Sequence, residues 1–205
     1  MRSISAVLGW FALPAVFAAA HPAWWVYDRT AILSGEGWRL VTGNWVHFSA
    51  SHLGWNLLVL LGAGACLEFR RPGSVAQLTL VGAPLIGLGL LAGVPDMQRF
   101  GGLSGLAMGT VTLLALTWTQ GARTERLMGG GLLLLLAAKI GWEWSHPAAL
   151  FSDLEATGAR VATAAHVLGA VGALVVFARS NFGARHIMGR APSPFSRASS
   201  HECQR

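Results

Sequence analysis

Three short stretches of this 205-residue chain carry groups that could do nucleophilic chemistry. One runs His47-Phe48-Ser49-Ala50-Ser51-His52-Leu53-Gly54-Trp55-Asn56, a second Gly101-Gly102-Leu103-Ser104-Gly105, and a third Thr163-Ala164-Ala165-His166-Val167-Leu168-Gly169. A serine hydroxyl is a poor nucleophile until a base takes its proton, and an imidazole is the usual partner. Ser104 and His166 are therefore the candidate nucleophile and base. His52 and Asn56 are four apart, so on a helix they project from one face and could donate hydrogen bonds to a developing oxyanion. If Ser104 opens a helix, the unpaired backbone N–H groups around Leu103 and Ser104, and the positive end of the helix dipole, suit the same task. Gly102 beside them would let a substrate backbone come close. Each piece alone is weak, because Gly-x-Ser-Gly arises easily in a glycine-rich chain and Leu106 departs from the Gly-x-Ser-x-Gly elbow of soluble hydrolases.

The elements that must position these groups are membrane-crossing helices. Hydrophobic residues make up 53% of the chain and charged ones only 12%, about half the share of a soluble domain. No charge falls within residues 3–20, 40–67, 72–95, 100–122 or 161–178, and the run from Leu127 to Trp144 is broken only by Lys139 and Glu143. Roughly 20 apolar residues cross about 30 Å of hydrocarbon. Six spans are expected, at about 4–20, 48–67, 74–94, 102–120, 127–145 and 160–178. A soluble globule of this size has too little interior to hide them. The 26 glycines fit close helix packing in a bilayer. Spans two, four and six run in the same direction, and His52, Ser104 and His166 each lie near the start of theirs. At 1.5 Å per residue they fall at similar depth, with Asn56 one turn deeper. Three helices thus bring a hydroxyl, two imidazoles and an amide toward one membrane face.

Arginine placement sets the orientation. With the N-terminus inside, Arg2, Arg70, Arg71, Arg123, Arg126, Arg179, Arg185, Arg190, Arg197 and Arg205 are cytoplasmic, against Arg29, Arg39, Arg99 and Arg160 outside. That positive-inside bias places both termini in the cytoplasm and the reactive groups near the outer face. The net charge of +6 then follows from topology and asks for no nucleic-acid partner. Residues 1–178 form one six-helix domain, and the Ser-, Pro- and Arg-rich residues 179–205 are expected to be a disordered basic tail. The first span is expected to be a retained helix, although Ala18-Ala19-Ala20-His21 vaguely suits a cleavage site. Trp24, Trp25, Tyr27, Trp38 and Trp45 suggest that the outer loop 21–47 lies in the interface. Cys66 and Cys203 are too few for a disulfide framework and fall on the cytoplasmic side.

In order along the chain, Trp38-Arg39, His47-Phe48-Ser49 with His52 and Asn56, Gly62 and Glu68, Gly102-Leu103-Ser104-Gly105, and His166 with Gly169 resemble the motifs of the rhomboid family of intramembrane serine proteases. The resemblance runs from about Trp38 to Phe177. It implies an all-α, six-helix, multi-pass bundle and a Ser104–His166 dyad, with His52, Asn56, Leu103 and Gly102 at the oxyanion and substrate site. It implies no metal and no cofactor, and a membrane-anchored protein substrate cut near the outer face. The short chain and Ala138-Lys139-Ile140-Gly141-Trp142-Glu143 look most like the rhombosortase branch. That implies a bacterial inner membrane and substrates ending in Gly-Gly, a hydrophobic helix and a basic tail. Two departures stand out. Met108 occupies the position, one turn after the serine, where the family usually has an aromatic, and Ala173 beside Gly172 replaces the usual small residue of the last span. Lys139 and Glu143, four apart, are expected to form an ion pair, with a place beside the cavity as the sharper reading of Glu143; a rhomboid dyad needs no third acid.

The sequence therefore predicts a serine endopeptidase working within the bilayer. A catalytically silent binder or chaperone of transmembrane helices would characteristically lose Ser104 or His166, and both are present. A solute transporter would show broken helices at the midplane, whereas these polar groups gather near one face.

Overall fold

The computed structural model describes Ser5, residues 7–145 and residues 163–188, the last with side chains through Asn181. The expected outer-loop Arg160, the start of the sixth span and the tail beyond residue 188 lie outside the described residues.

A helix occupies each of the six expected windows: α1 (Leu8–Ala20), α5 (Ala50–Arg70), α6 (Ser74–Gly93), α7 (Ser104–Trp118), α8 (Arg123–Ser145) and α9 (Thr163–Met188). Between α1 and α5 lie the short helices α2 (Pro22–Trp25), α3 (Arg29–Leu33) and α4 (Arg39–Thr42) and a 3-10 turn at Gly43–Trp45. Among the described residues, four helices, α5, α6, α8 and α9, are long and apolar enough to cross a membrane; α1 and α7 are shorter apolar helices. The 15 residues of α7 rise about 22 Å, less than the thickness of the hydrocarbon. α7 packs against α5, α6, α8 and α9 and is buried on most of its circumference. Its Thr110 and Thr112 hydroxyls donate to Leu106 O and Met108 O, each at 2.8 Å, which satisfies them without a partner helix.

Local chemistry explains the irregular parts. α1 opens as a π-helix, Leu8–Ala12. Pro14 has no N–H for the carbonyl of Trp10, and the indole of buried Trp45 donates to that oxygen at 2.9 Å. Ser49 caps α5 by accepting from His52 N at 3.2 Å, which fixes His52 in the first turn. At the other end, Gly73 (φ +84°) makes the left-handed turn into α6, and Glu68 accepts from Gly73 N and Val75 N at 2.8 and 2.6 Å. The Glu68 of the family motif is thus a cap for the next helix.

The loop from Trp24 to Val46 is folded and anchored. Arg39, 8% exposed, donates to Ala23 O and Val26 O and pairs with Glu36. Arg29 donates to Leu91 O and Val94 O, covering the carbonyl end of α6. Strands β1 (Tyr27–Asp28) and β2 (Arg99–Phe100) pair antiparallel, Tyr27 opposite Phe100, and tie this loop to the segment that leads into Ser104. Trp24 and Trp38 remain exposed.

The two ends of the bundle differ in charge. Arg70, ending α5, pairs with Glu125 in the first turn of α8. Arg71 donates to Ser180 Oγ on α9 at 2.7 Å and lies over the Phe177 ring. This basic end is opposite the one where α5, α7 and α9 begin and α8 finishes. α9 continues as helix through residues 179–188. The first proline after Phe177 is Pro192, so nothing in the intervening sequence forces the helix to stop.

Candidate active site

Gly105 and Gly109 on α7 face Ala165 and Gly169 on α9 with their backbones in contact. A Cβ on Gly105 would stand 2.9 Å from Ala165 O, and one on Gly169 would stand 1.9 Å from Gly105 O. Small residues four apart on both helices permit this approach. Ser104 and His166 each adjoin a residue of that contact, so the hydroxyl and the imidazole come to the same end of one tight helix crossing. Further along α9, Gly172 approaches Gly82 on α6 and Ala173 is fully buried, so the departure in the last span keeps its close packing. Met108, one turn beyond Ser104, is buried at 5% exposure.

Ser104 is the first residue of α7, with Leu103 as N-cap. Ala107 N bonds Leu103 O at 2.8 Å, so the N–H groups of Ser104, Gly105 and Leu106 precede the helical ladder. Gly102 enters the turn at φ +146°, and a Cβ there would lie 2.8 Å from His52 Cε1. Glycine is needed on both counts. The His52 ring thus lies against the backbone immediately ahead of Ser104, within electrostatic reach of His166. His52 Nδ1 is buried with no hydrogen-bond partner among the described residues.

His47 organises this side of the site. Its Nδ1 lies 3.0 Å from Trp45 O, and a carbonyl can only accept, so Nδ1 carries the proton. Nε2 is then the acceptor, and it receives Leu103 N and Asn56 Nδ2, each at 3.2 Å. Its ring meets His52 edge-on with centroids 5.2 Å apart. The Leu103 N–H, expected at the oxyanion site, donates to His47 Nε2 in this structure. Asn56, buried, keeps a second amide N–H. Sequence reading placed His47 in the motif but gave it no role. Its hint was the nine-residue spacing to Asn56, which becomes a contact only through the bend at Val46–Ser49.

Burial, and then the charge of nearby His52, push the His47 imidazole down from 6.5 to about 4, against a weaker opposing pull from the Trp45 carbonyl. The folded protein therefore keeps the acceptor at Nε2 under all ordinary conditions. An unfolded chain protonates this histidine near pH 6.5, so stability should fall as pH drops from about 6.5 to about 4, by about 3 kcal/mol in all. Above pH 6.5 both states are neutral and this contribution is flat. Thermal melts of wild type and His47→Gln across that interval test it. The variant should melt lower at pH 7 and lose that part of the pH dependence; parallel curves would refute the assignment.

On the opposite side, His166 Nδ1 lies 2.6 Å from Glu143 Oε2, with both side chains about 95% buried. Glu143 Oε1 pairs with Lys139 as expected. The carboxylate is more than half of a surface ion pair, since it also holds the candidate base.

The chain matches the Rhomboid domain over residues 34–180, which spans all of these groups. It is 29% identical over 170 residues to the rhomboid protease GlpG of Salmonella choleraesuis (strain SC-B67), an alignment covering 78% of this chain and 56% of that protein. The chain thus spans little more than half the length of that relative. With most of its length matched to one domain, and a multi-helix bundle whose polar groups gather at one end, this chain belongs to the rhomboid domain family.

Proposed function

We propose that this protein is an intramembrane serine endopeptidase that cuts one peptide bond in a membrane-anchored protein. Ser104 Oγ attacks the scissile carbonyl carbon, and His166 takes the proton and later gives it to the leaving amine. The Ser104 N–H, the free amide N–H of Asn56 and the His52 ring stabilise the oxyanion, in place of Leu103 N–H. Gly102 and Leu103 line the approach of the substrate backbone. The reading rests chiefly on the backbone contact of Gly105 with Ala165 and Gly169, which puts the start of α7 beside His166. Family membership and the likeness to a rhomboid protease support it.

The arginines at the end of the bundle away from Ser104 support an orientation with both termini in the cytoplasm of a bacterial cell and cleavage near the outer face of its inner membrane. The Ala138 to Glu143 segment supports the finer reading: a rhombosortase-like enzyme trimming surface proteins that end in Gly-Gly, a hydrophobic helix and basic residues.

A fluorophosphonate probe tests the proposal directly, because it modifies only an activated serine. Purified wild type should label at one site, and Ser104→Ala and His166→Ala should not label. Labelling that survives Ser104→Ala would remove the mechanism. An unlabelled wild type that still binds transmembrane peptides would favour a silent helix binder.

A further inference from the structure

The hydrogen bond from His166 to Glu143 joins two buried side chains on different helices. We propose that Glu143 is a positioning residue that holds His166 in the tautomer and orientation needed to take a proton from Ser104, with Lys139 fixing the carboxylate. This rests on the serine-protease reading of the same site.

A carboxylate can only accept a hydrogen bond, so at 2.6 Å Nδ1 of His166 carries a proton. In the neutral ring the lone pair is then on Nε2, the nitrogen left for a hydroxyl. Without the carboxylate an imidazole divides between two tautomers, and the Nε2–H form cannot act as base at that nitrogen. Lys139 Nζ also lies 3.5 Å from Nδ1. Both are donors in this state, so the contact reflects two groups converging on one carboxylate. Glu143 is 4% exposed on a helix otherwise apolar around it, and Lys139 is 29% exposed in its side chain. Charges inside a span are costly and are kept where they serve a site. An ion pair between side chains four apart on a lipid-facing helix would need neither burial of the acid nor a histidine from another helix.

The proton balance is simple. As Ser104 Oγ bonds the carbonyl carbon, its proton moves to Nε2 and the carbonyl electron pair moves to oxygen. The resulting imidazolium keeps Nδ1–H donated to Glu143, which stays ionised. Nε2–H then passes to the amine as the C–N bond breaks.

Fluorophosphonate inactivation kinetics on the full chain in detergent test the assignment. Glu143→Gln should lower the maximal inactivation rate about 100-fold or more while leaving the half-saturating probe concentration within twofold. Glu143→Asp should recover part of the rate. Nitrogen-15 spectra of labelled histidine should show the Nδ1–H tautomer of His166 in wild type and a mixture that includes the Nε2–H tautomer in Glu143→Gln. Should Glu143→Gln fail to fold, Lys139→Met combined with Glu143→Gln removes both charges and replaces it. A folded variant of either kind that reacts within threefold of wild type, with unchanged tautomer, overturns the proposal. That result, with labelling still dependent on Ser104, would leave the protease reading standing; labelling independent of Ser104 would end both.

Discussion

Ser104→Ala is expected to lower cleavage of a single-span substrate in proteoliposomes by about 10⁴-fold or more, His166→Ala to do the same, and the double variant to lose nothing further. In the proposed mechanism, hydroxyl and imidazole act on one proton. Once either is gone the other has nothing to transfer, so the second deletion costs no additional rate. The rate left in all three variants is what oriented binding and oxyanion donors supply without a nucleophile. Losses that multiply in the double variant would mean that the two residues contribute independently, and the pair would then be no catalytic unit. Melting temperatures separate this from damage to the fold. Ser104 is half-buried at a helix start and its loss should barely register. Removing the buried His166 ring leaves Glu143 with Lys139 as its remaining partner, so some loss of stability is expected without collapse.

Much of this arrangement was legible from residue types alone, and what was not follows a pattern. Helix windows could be read because lipid demands long apolar runs, and alternating direction brings the starts of spans two, four and six to one end of the bundle. Helix length was harder. Hydropathy continues through Gly102 and Leu103, but φ +146° at Gly102 and the His47 bond to Leu103 N start α7 at Ser104. Beside the π-helical opening of α1, Pro14 leaves the Trp10 carbonyl to the indole of Trp45, far along the chain. Hydrogen-bond direction was the least visible of all. Asn56 and His52 both looked like donors to a substrate, yet one amide N–H of Asn56 serves His47. Glu143 looked like the partner of Lys139 four residues away, and its bond to His166 depends on how α8 lies against α9. Sequence spacing predicts contacts within a helix; contacts between helices depend on which faces meet.

Those faces are set by glycine, which leads to the second large effect. Gly169→Ala should abolish activity and lower the melting temperature in detergent. Its new Cβ would stand 1.9 Å from the carbonyl oxygen of Gly105, a backbone atom in the first turn of α7 that has no rotamer to escape into. Overpacking a well-filled interior typically costs about 1–3 kcal/mol, and a clash with backbone belongs at the upper end. The catalytic loss should exceed what that destabilisation explains. Ser104 and His166 sit one and three residues from the clash, and a shift of about 1 Å in reacting groups costs about 100-fold in rate. Gly130→Ala on α8 is the control, since its Cβ meets nothing within 4 Å and helix propensity favours alanine. That variant should keep both activity and melting temperature. Should Gly169→Ala behave like the control, α7 and α9 would not touch through their backbones, and Ser104 and His166 would lose the contact that brings them together.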